Sequence, residues 1–385
     1  MFSNVGRRTR AAVIAGVSAS VLLGGGAIGT AVASAGTQTA ARAASVPWAS
    51  VGPGWVLDMY SKAPGTKKAP TTLYLASPAG AKYALHTWKA TQAPPKLMAW
   101  AGSKTEALFQ LVSPKTGLIA EWGEMNLRTG KITNVTFGKA SPIGFTLPTG
   151  QQILGGYVSG GNNVTIARFT QTGRLVKKLV TESIKYLGGF GLPPTVYSAD
   201  GTEIAVGAAN GVQLVSNAGG VLKKLPVPGA DTRYGCSPVR WWTRSTLLVE
   251  CMPKTGNAPQ LWLAPANGAR PVALTPVRKT GFDLGDIGAW KLSSGLYLQS
   301  LGACGTLEIN KQAKNGSVTR VTVPGATDSP VVVTATTSRL LVWQRGCEGS
   351  GGQLVWFNPG TRAEKWLTKT GSFEVVAYNS TENAG

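Results

Sequence analysis

The chain alternates between short apolar runs and clusters of turn residues, with a long period. Seven such runs end in a glycine: TLYLASPAG at Gly80, GEMNLRTG at Gly130, IARFTQTG at Gly173, VQLVSNAG at Gly219, LWLAPANG at Gly268, LEINKQAKNG at Gly316 and LVWFNPG at Gly360. Successive glycines lie 43 to 50 residues apart. A strand-rich unit of that size is one blade of a β-propeller. The second repeat shows the inner pattern. KLMAWAG, EALFQLVS, GLIAEWGEMNL and KITNVTF read as strands, separated by Ser103-Lys104, by Pro114 to Gly117 and by Arg128-Thr129-Gly130. Four antiparallel strands make a blade. Helical periodicity never persists beyond a turn or two. Val331-Val332-Val333, Leu340 to Trp343 and Leu354 to Phe357 do not alternate. Strands buried on both faces read like this, as they are in blades packed between neighbours.

The pattern therefore predicts an all-β, seven-bladed β-propeller of four-stranded antiparallel blades. The first repeat has three clear strands, WVLDMYS, TTLYLAS and KYALHTW, and a spare strand, FEVVAYN, follows the seventh. Adding that C-terminal strand to the first blade closes the ring and leaves only short edges. Six blades is the alternative, should the third repeat, with Gly155, Gly156, Gly160 and Gly161, be incomplete. Residues 48–380 then form a single propeller domain, preceded by a flexible lead-in over 36–47 and followed by a tail over 381–385.

Residues 1–35 read as a signal peptide. Arg7, Arg8 and Arg10 form a positive start, an Ala/Val/Leu/Gly stretch follows, and Ala33-Ser34-Ala35 supplies the small-x-small cleavage pattern. The competing reading keeps the segment as an uncleaved anchor. Thr9 and Arg10 follow the arginine pair where a twin-arginine signal has an aromatic and Leu, so the general secretory route is favoured. No later stretch is long and apolar enough to span a bilayer. The reading is thus a secreted or extracytoplasmic monomer with no stable membrane span after cleavage.

Charge and cysteines sharpen this picture. The net charge is +21, or about +18 without the three signal arginines. It is spread over Lys67-Lys68, Lys177-Lys178, Lys223-Lys224, Arg240, Arg244, Arg270 and Arg278-Lys279. Such a balance attracts anionic partners, or simply keeps an exported surface solvated. Export argues against nucleic acid and for a protein or an anionic cell-envelope polymer. Four cysteines in an exported chain favour disulfides. Cys236 and Cys251 flank the strand WWTRSTLLVE, while Cys304 and Cys347 sit at similar places in consecutive repeats. The pairing expected is Cys236–Cys251 and Cys304–Cys347. Zinc is disfavoured because no C-x-x-C pair occurs and His86 is the sole histidine.

Catalytic chemistry finds little to use. A nucleophilic triad would have to employ His86, in the strand KYALHTW, and no G-x-S-x-G elbow occurs. Paired carboxylates for glycoside chemistry would be Asp283 with Asp286 or Glu121 with Glu124. The first pair suits a turn, and the second straddles a strand so that its members face opposite ways. No calcium, phosphate or dinucleotide motif is present, and no metal or cofactor is expected. The one local constellation that stands out is Arg240-Trp241-Trp242 with Arg244. Adjacent strand residues face opposite ways, so one Trp should pack between blades and the other reach a surface, where Trp beside Arg suits sugar or peptide recognition. Core packing of both is the plainer reading. Trp48, Trp55, Trp88, Trp100, Trp262, Trp290, Trp343, Trp356 and Trp366 read as inter-blade core.

In the fourth repeat, Ser198-Ala199-Asp200-Gly201 is a tight turn followed by the strand EIAVGA. This resembles the TolB-like and WD-repeat-like propellers, whose blades place a Ser/Pro-Asp-Gly turn between their first two strands. The segments VPWASVGPGWVLDMYS, SPVRWW and VWFNPGT also resemble exported TolB-like proteins of high-GC Gram-positive bacteria. The resemblance implies the fold and the export and implies no activity. Two functions from different classes follow: a non-enzymatic binding module, or an extracellular carbohydrate-active enzyme with carboxylates near the propeller axis. A sensory ectodomain held by an uncleaved N-terminal segment is the third.

Overall fold

The computed structural model describes residues 46–378 apart from 67, 101, 113–118, 161–162, 184–191, 256–257, 279–284, 303–305, 326–328 and 345–350. It is all β, as the apolar pattern predicts, with no α-helix among the described residues. The strands run in order as antiparallel meanders. The first holds β1 (Val56–Ser61), β2 (Thr71–Ala76) and β3 (Lys82–Trp88). The second holds β4 (Lys96–Ala99), β5 (Glu106–Val112), β6 (Ile119–Asn126) and β7 (Ile132–Val135). The third is β8 (Ser141–Phe145), β9 (Gln152–Gly160), β10 (Asn163–Thr170) and β11 (Leu175–Ser183). The fourth is β12 (Thr195–Tyr197), β13 (Glu203–Ala208), β14 (Gly211–Ser216) and β15 (Val221–Pro226). The fifth is β16 (Cys236–Thr243), β17 (Thr246–Cys251), β18 (Gln260–Pro265) and β19 (Val272–Ala273), and the sixth β20 (Asp286–Leu292), β21 (Gly295–Leu301), β22 (Leu307–Gln312) and β23 (Val318–Arg320). The last is β24 (Pro330–Ala335), β25 (Leu340–Gln344), β26 (Gly352–Phe357) and β27 (Glu364–Ala377).

β27 belongs to two meanders. Its first half pairs with β26, from Phe357↔Glu364 to Gly352↔Ser372, and its second half pairs with β1, from Tyr60↔Ser372 to Val56↔Ala377. The C-terminal strand thus joins the first repeat, as its three-strand pattern requires. It is continuous with the strand before it, whereas the sequence reads as two separate strands. The glycine-rich third repeat carries four paired strands, β8 to β11. Its glycines serve packing: a Cβ on Gly155 would lie 3.0 Å from the Ser141 carbonyl oxygen, and one on Gly156 2.6 Å from a Leu192 methyl.

The buried apolar side chains fall into clusters that each bridge two successive meanders. Trp88, Phe109 and Met125 join the first to the second, Ile166 and Ile204 the third to the fourth, and Trp241 and Leu247 anchor the contact of fourth with fifth. Trp356, Leu341 and Leu354 pack on Val56 and Ala76, so the last meander contacts the first. All nine tryptophans read as core lie in these clusters or against them. Burying both faces of every sheet explains the non-alternating runs, since each face meets a neighbour instead of water.

The periodic glycines occupy the turns between third and fourth strands, and most dock on the meander before. A Cβ on Gly80 would collide with Lys365, one on Gly130 with the His86 ring, and one on Gly219 with Lys177. Lys365 Nζ donates to the Ala79 carbonyl in the same contact. The period is therefore largely a series of turn-on-strand contacts, tightest at Gly173, where a Cβ would meet the Thr136 backbone, and absent at Gly316, where it would meet only Pro276 Cγ at 3.9 Å. Cys236 and Cys251 are directly opposed on β16 and β17 and form a disulfide, as the flanking positions predict. Cys304 and Cys347 lie outside the described residues.

Candidate functional site

Trp241 and Trp242 face opposite ways on β16, as strand geometry requires. Trp241 is 2% exposed in the contact between fourth and fifth meanders. Trp242 is half-buried against the cluster between fifth and sixth, and Arg244 is exposed in the turn that follows. Arg240 departs from the exposed surface expected of it, being only 8% exposed. Its guanidinium carbon lies 4.8 Å from the Trp290 ring centre and 5.6 Å from that of Trp242. The two indoles stabilise the cation through their π faces. Nε and Nη2 are buried without a hydrogen-bond partner, and burial brings the guanidinium down to about 9. It stays charged at neutral pH. The constellation is therefore mainly a cation held between innermost strands, with Trp242 and Arg244 as its accessible part.

The acidic candidates separate. Glu121 is exposed and accepts from Asn134 Nδ2 at 2.5 Å, while Glu124 accepts from Gln171 Nε2 at 3.2 Å, across the contact with the third meander. Asp286 is fully buried and accepts from Ser300 Oγ at 2.7 Å and Arg278 Nη2 at 3.4 Å. Asp283 lies outside the described residues. His86 stacks edge-on against Trp88 at 4.5 Å, and burial lowers its pKa. Among the described residues no group of three His, Cys, Asp or Glu is placed to hold a metal. Ser198-Ala199-Asp200-Gly201 forms its turn between β12 and β13. Ser198 Oγ and the Thr202 amide donate to Asp200 Oδ1 at 2.6 and 3.0 Å, and these bonds lower the Asp200 pKa.

Four glutamates carry raised pKa values, Glu182 among them through burial. Burial pushes Glu250 and Glu374 to about 7, and burial with the nearby Glu106 charge does the same to Glu124. A carboxyl whose folded value is raised binds its proton more tightly when folded. Stability is then greatest at low pH and falls as pH climbs from 4.5 through about 7. The melting temperature should drop by roughly 3 °C or more between pH 5 and pH 8. Glu250→Gln with Glu374→Gln should flatten most of that slope, as calorimetry at the two pH values would show.

A feature missed in the sequence lies on the outermost strands. Leu175 and Val176 on β11, Val221 and Leu222 on β15, and Val272 on β19 are 41–64% exposed, and they make up five of the seven most exposed large apolar side chains among the described residues. Exposed Arg174, Lys177, Lys178, Lys223, Lys224 and Arg270 lie among them; the one acid on the three strands is half-buried Glu182 near the end of β11, which interacts with Lys224 and accepts from Gln213 Nε2 at 2.5 Å. The strands adjoin: the Gly220 amide donates to the Leu179 carbonyl at 3.2 Å, and Lys223 Nζ to the Asn267 carbonyl at 2.7 Å. The signal was present as LVKK and VLKK in consecutive repeats. Among the described residues, no helix is long and apolar enough to cross a membrane.

No family model and no curated protein matches the chain. Solved structures do. The β-propeller domain of the Trilobed protease from Pyrococcus furiosus is similar at TM-score 0.50 and 10% identity, over 83% of this chain and 96% of its own. Puromycin hydrolase matches at TM-score 0.50 and 12% identity, over 87% of this chain and 56% of its own length. TolB from Acinetobacter baumannii matches at TM-score 0.43 and 15% identity, over 84% of this chain and 67% of its own. Identities this low speak for architecture alone. The chain has the β-propeller fold.

Proposed function

We propose that this chain is an exported, non-enzymatic binding module, a seven-bladed propeller that recognises a protein or an anionic polymer of the cell envelope. The observation that carries the reading is the cation-rich face on β11, β15 and β19, in which Glu182 is the one acid, with its exposed aliphatic side chains. Contiguous exposed apolar surface rimmed by charge is the composition of a recognition surface, and its cations favour an anionic partner. The disulfide and the N-terminal sequence support export.

The test is retention of envelope material by the chain from Gly36 onward at low and high salt. The variant Arg174→Glu, Lys178→Glu, Lys224→Glu should retain at least about tenfold less at low salt, because reversing three charges turns attraction into repulsion. Material held by the parent chain at high salt would be a partner engaging the apolar component. Equal retention by parent and variant would sink the assignment of this face.

A further inference from the structure

Between β15 and the turn before β19 the basic face folds inward. Leu225 and Val227, 2% and 5% exposed, form the floor of a groove of about 350 Å³. Pro226, Pro228, Ala269 and Pro271 line it. Arg270 stands at the rim, and Val272, 64% exposed, lies just beyond. The groove is built: besides the Lys223 bond to the Asn267 carbonyl, a Cβ on Gly268 would come within 3.0 Å of Lys223 Cδ. The third–fourth turn of the fifth meander is thus pressed onto the outer strand of the fourth.

Resting on the binding-module reading, we propose that this groove takes an extended polypeptide segment of a partner protein, with aliphatic side chains at its centre and carboxylates on its flanks. The walls dictate the centre. Prolines have no N–H, so three of the lining residues offer no backbone donor, and recognition there must come from side-chain packing. β19 is two residues long and follows Pro271, which leaves little edge for an added strand. The rim dictates the flanks, since Lys223 and Arg270 stand beside the groove and no acid occurs in 221–228 or 266–278. A concave, apolar-floored site suits inserted side chains; a bilayer surface would rest on the protruding aliphatics and leave the floor empty.

The probe is a short fluorescein-labelled peptide with Leu-Pro-Val-Leu between Asp/Glu flanks, followed by fluorescence anisotropy. It should bind at least about tenfold more tightly than the same centre with Lys flanks or the same flanks around a Ser-Gly centre. Ala269→Trp, which fills the groove from an exposed position, should abolish binding while circular dichroism stays unchanged. Lys139→Glu, exposed between β7 and β8 and outside the basic face, should leave binding within about twofold. Equal binding of the Ser-Gly peptide, or indifference to Ala269→Trp, overturns the proposal. So does association with anionic phospholipid vesicles that Ala269→Trp leaves intact, since the face would then be a lipid surface. If parent and Ala269→Trp retain envelope material equally at high salt, the groove falls and the binding module stands; if neither retains any, both fall.

Discussion

Replacing Asp58 with alanine is expected to destabilise the folded chain by about 3 kcal/mol. The carboxylate is completely buried on β1, where β1 pairs with β27. Ser372 Oγ donates to Oδ1 at 2.7 Å, and Thr368 Oγ1 to Oδ2 at 2.8 Å, both from β27. Lys82 Nζ on β3 reaches Oδ2 at 3.2 Å and donates to Thr368 Oγ1 at 2.7 Å, with the Tyr74 ring 4.3 Å from the ammonium. One side chain therefore ties three strands that are separated by up to 314 residues of sequence. Alanine removes the acceptor these hydroxyls share and takes away the carboxylate that faces the Lys82 ammonium. Breaking a buried pair from one side costs about 3–5 kcal/mol. The lower end applies because the Lys82 side chain is 23% exposed and can recover water. Asparagine keeps one acceptor and should cost roughly half as much. Denaturant titration decides it: a midpoint for Asp58→Ala within about 1 kcal/mol of the parent would mean that strand pairing alone closes the ring.

Asp58 also marks the limit of sequence reading. WVLDMYS is legible as a strand, and FEVVAYN as the strand that completes its sheet, because both follow from apolar runs and from one repeat being a strand short. That Asp58 would be buried is not legible, since its partners come from β27 and β3. The same holds at Arg240. Alternation assigns Trp241 and Trp242 to opposite faces, yet only the neighbouring meander supplies Trp290 and removes the guanidinium from water. The basic face was visible as LVKK and VLKK, 46 residues apart, but doublets in a list look scattered. They become one surface once each repeat is turned into a sheet beside the last. Local pattern thus delivers strands, turns and the nearby disulfide. Groups that act together across sheets need the ring.

The glycine period offers a sharper test, because the same turn occurs with and without a tight contact. Gly173 and Gly316 adopt nearly equal backbone angles, with φ of 82° and 83°. Alanine at either position meets the same left-handed strain, about 1 kcal/mol. Their surroundings differ. A Cβ on Gly173 would lie 1.9 Å from the Thr136 carbonyl oxygen and 2.7 Å from its carbon, both backbone atoms of the second meander, whereas one on Gly316 meets nothing closer than Pro276 Cγ at 3.9 Å. No rotamer change relieves a clash with backbone, so the third meander's turn must lift off the second. Gly316→Ala should therefore cost about 1 kcal/mol and Gly173→Ala about 3 kcal/mol or more, the excess being the price of separating two sheets at the rim. Equal losses would mean that the repeat conserves a backbone conformation and nothing else. A large excess at Gly173 would show that the spacing of glycines records how closely one sheet must approach the next, which is the physical content of the period that first reveals the fold.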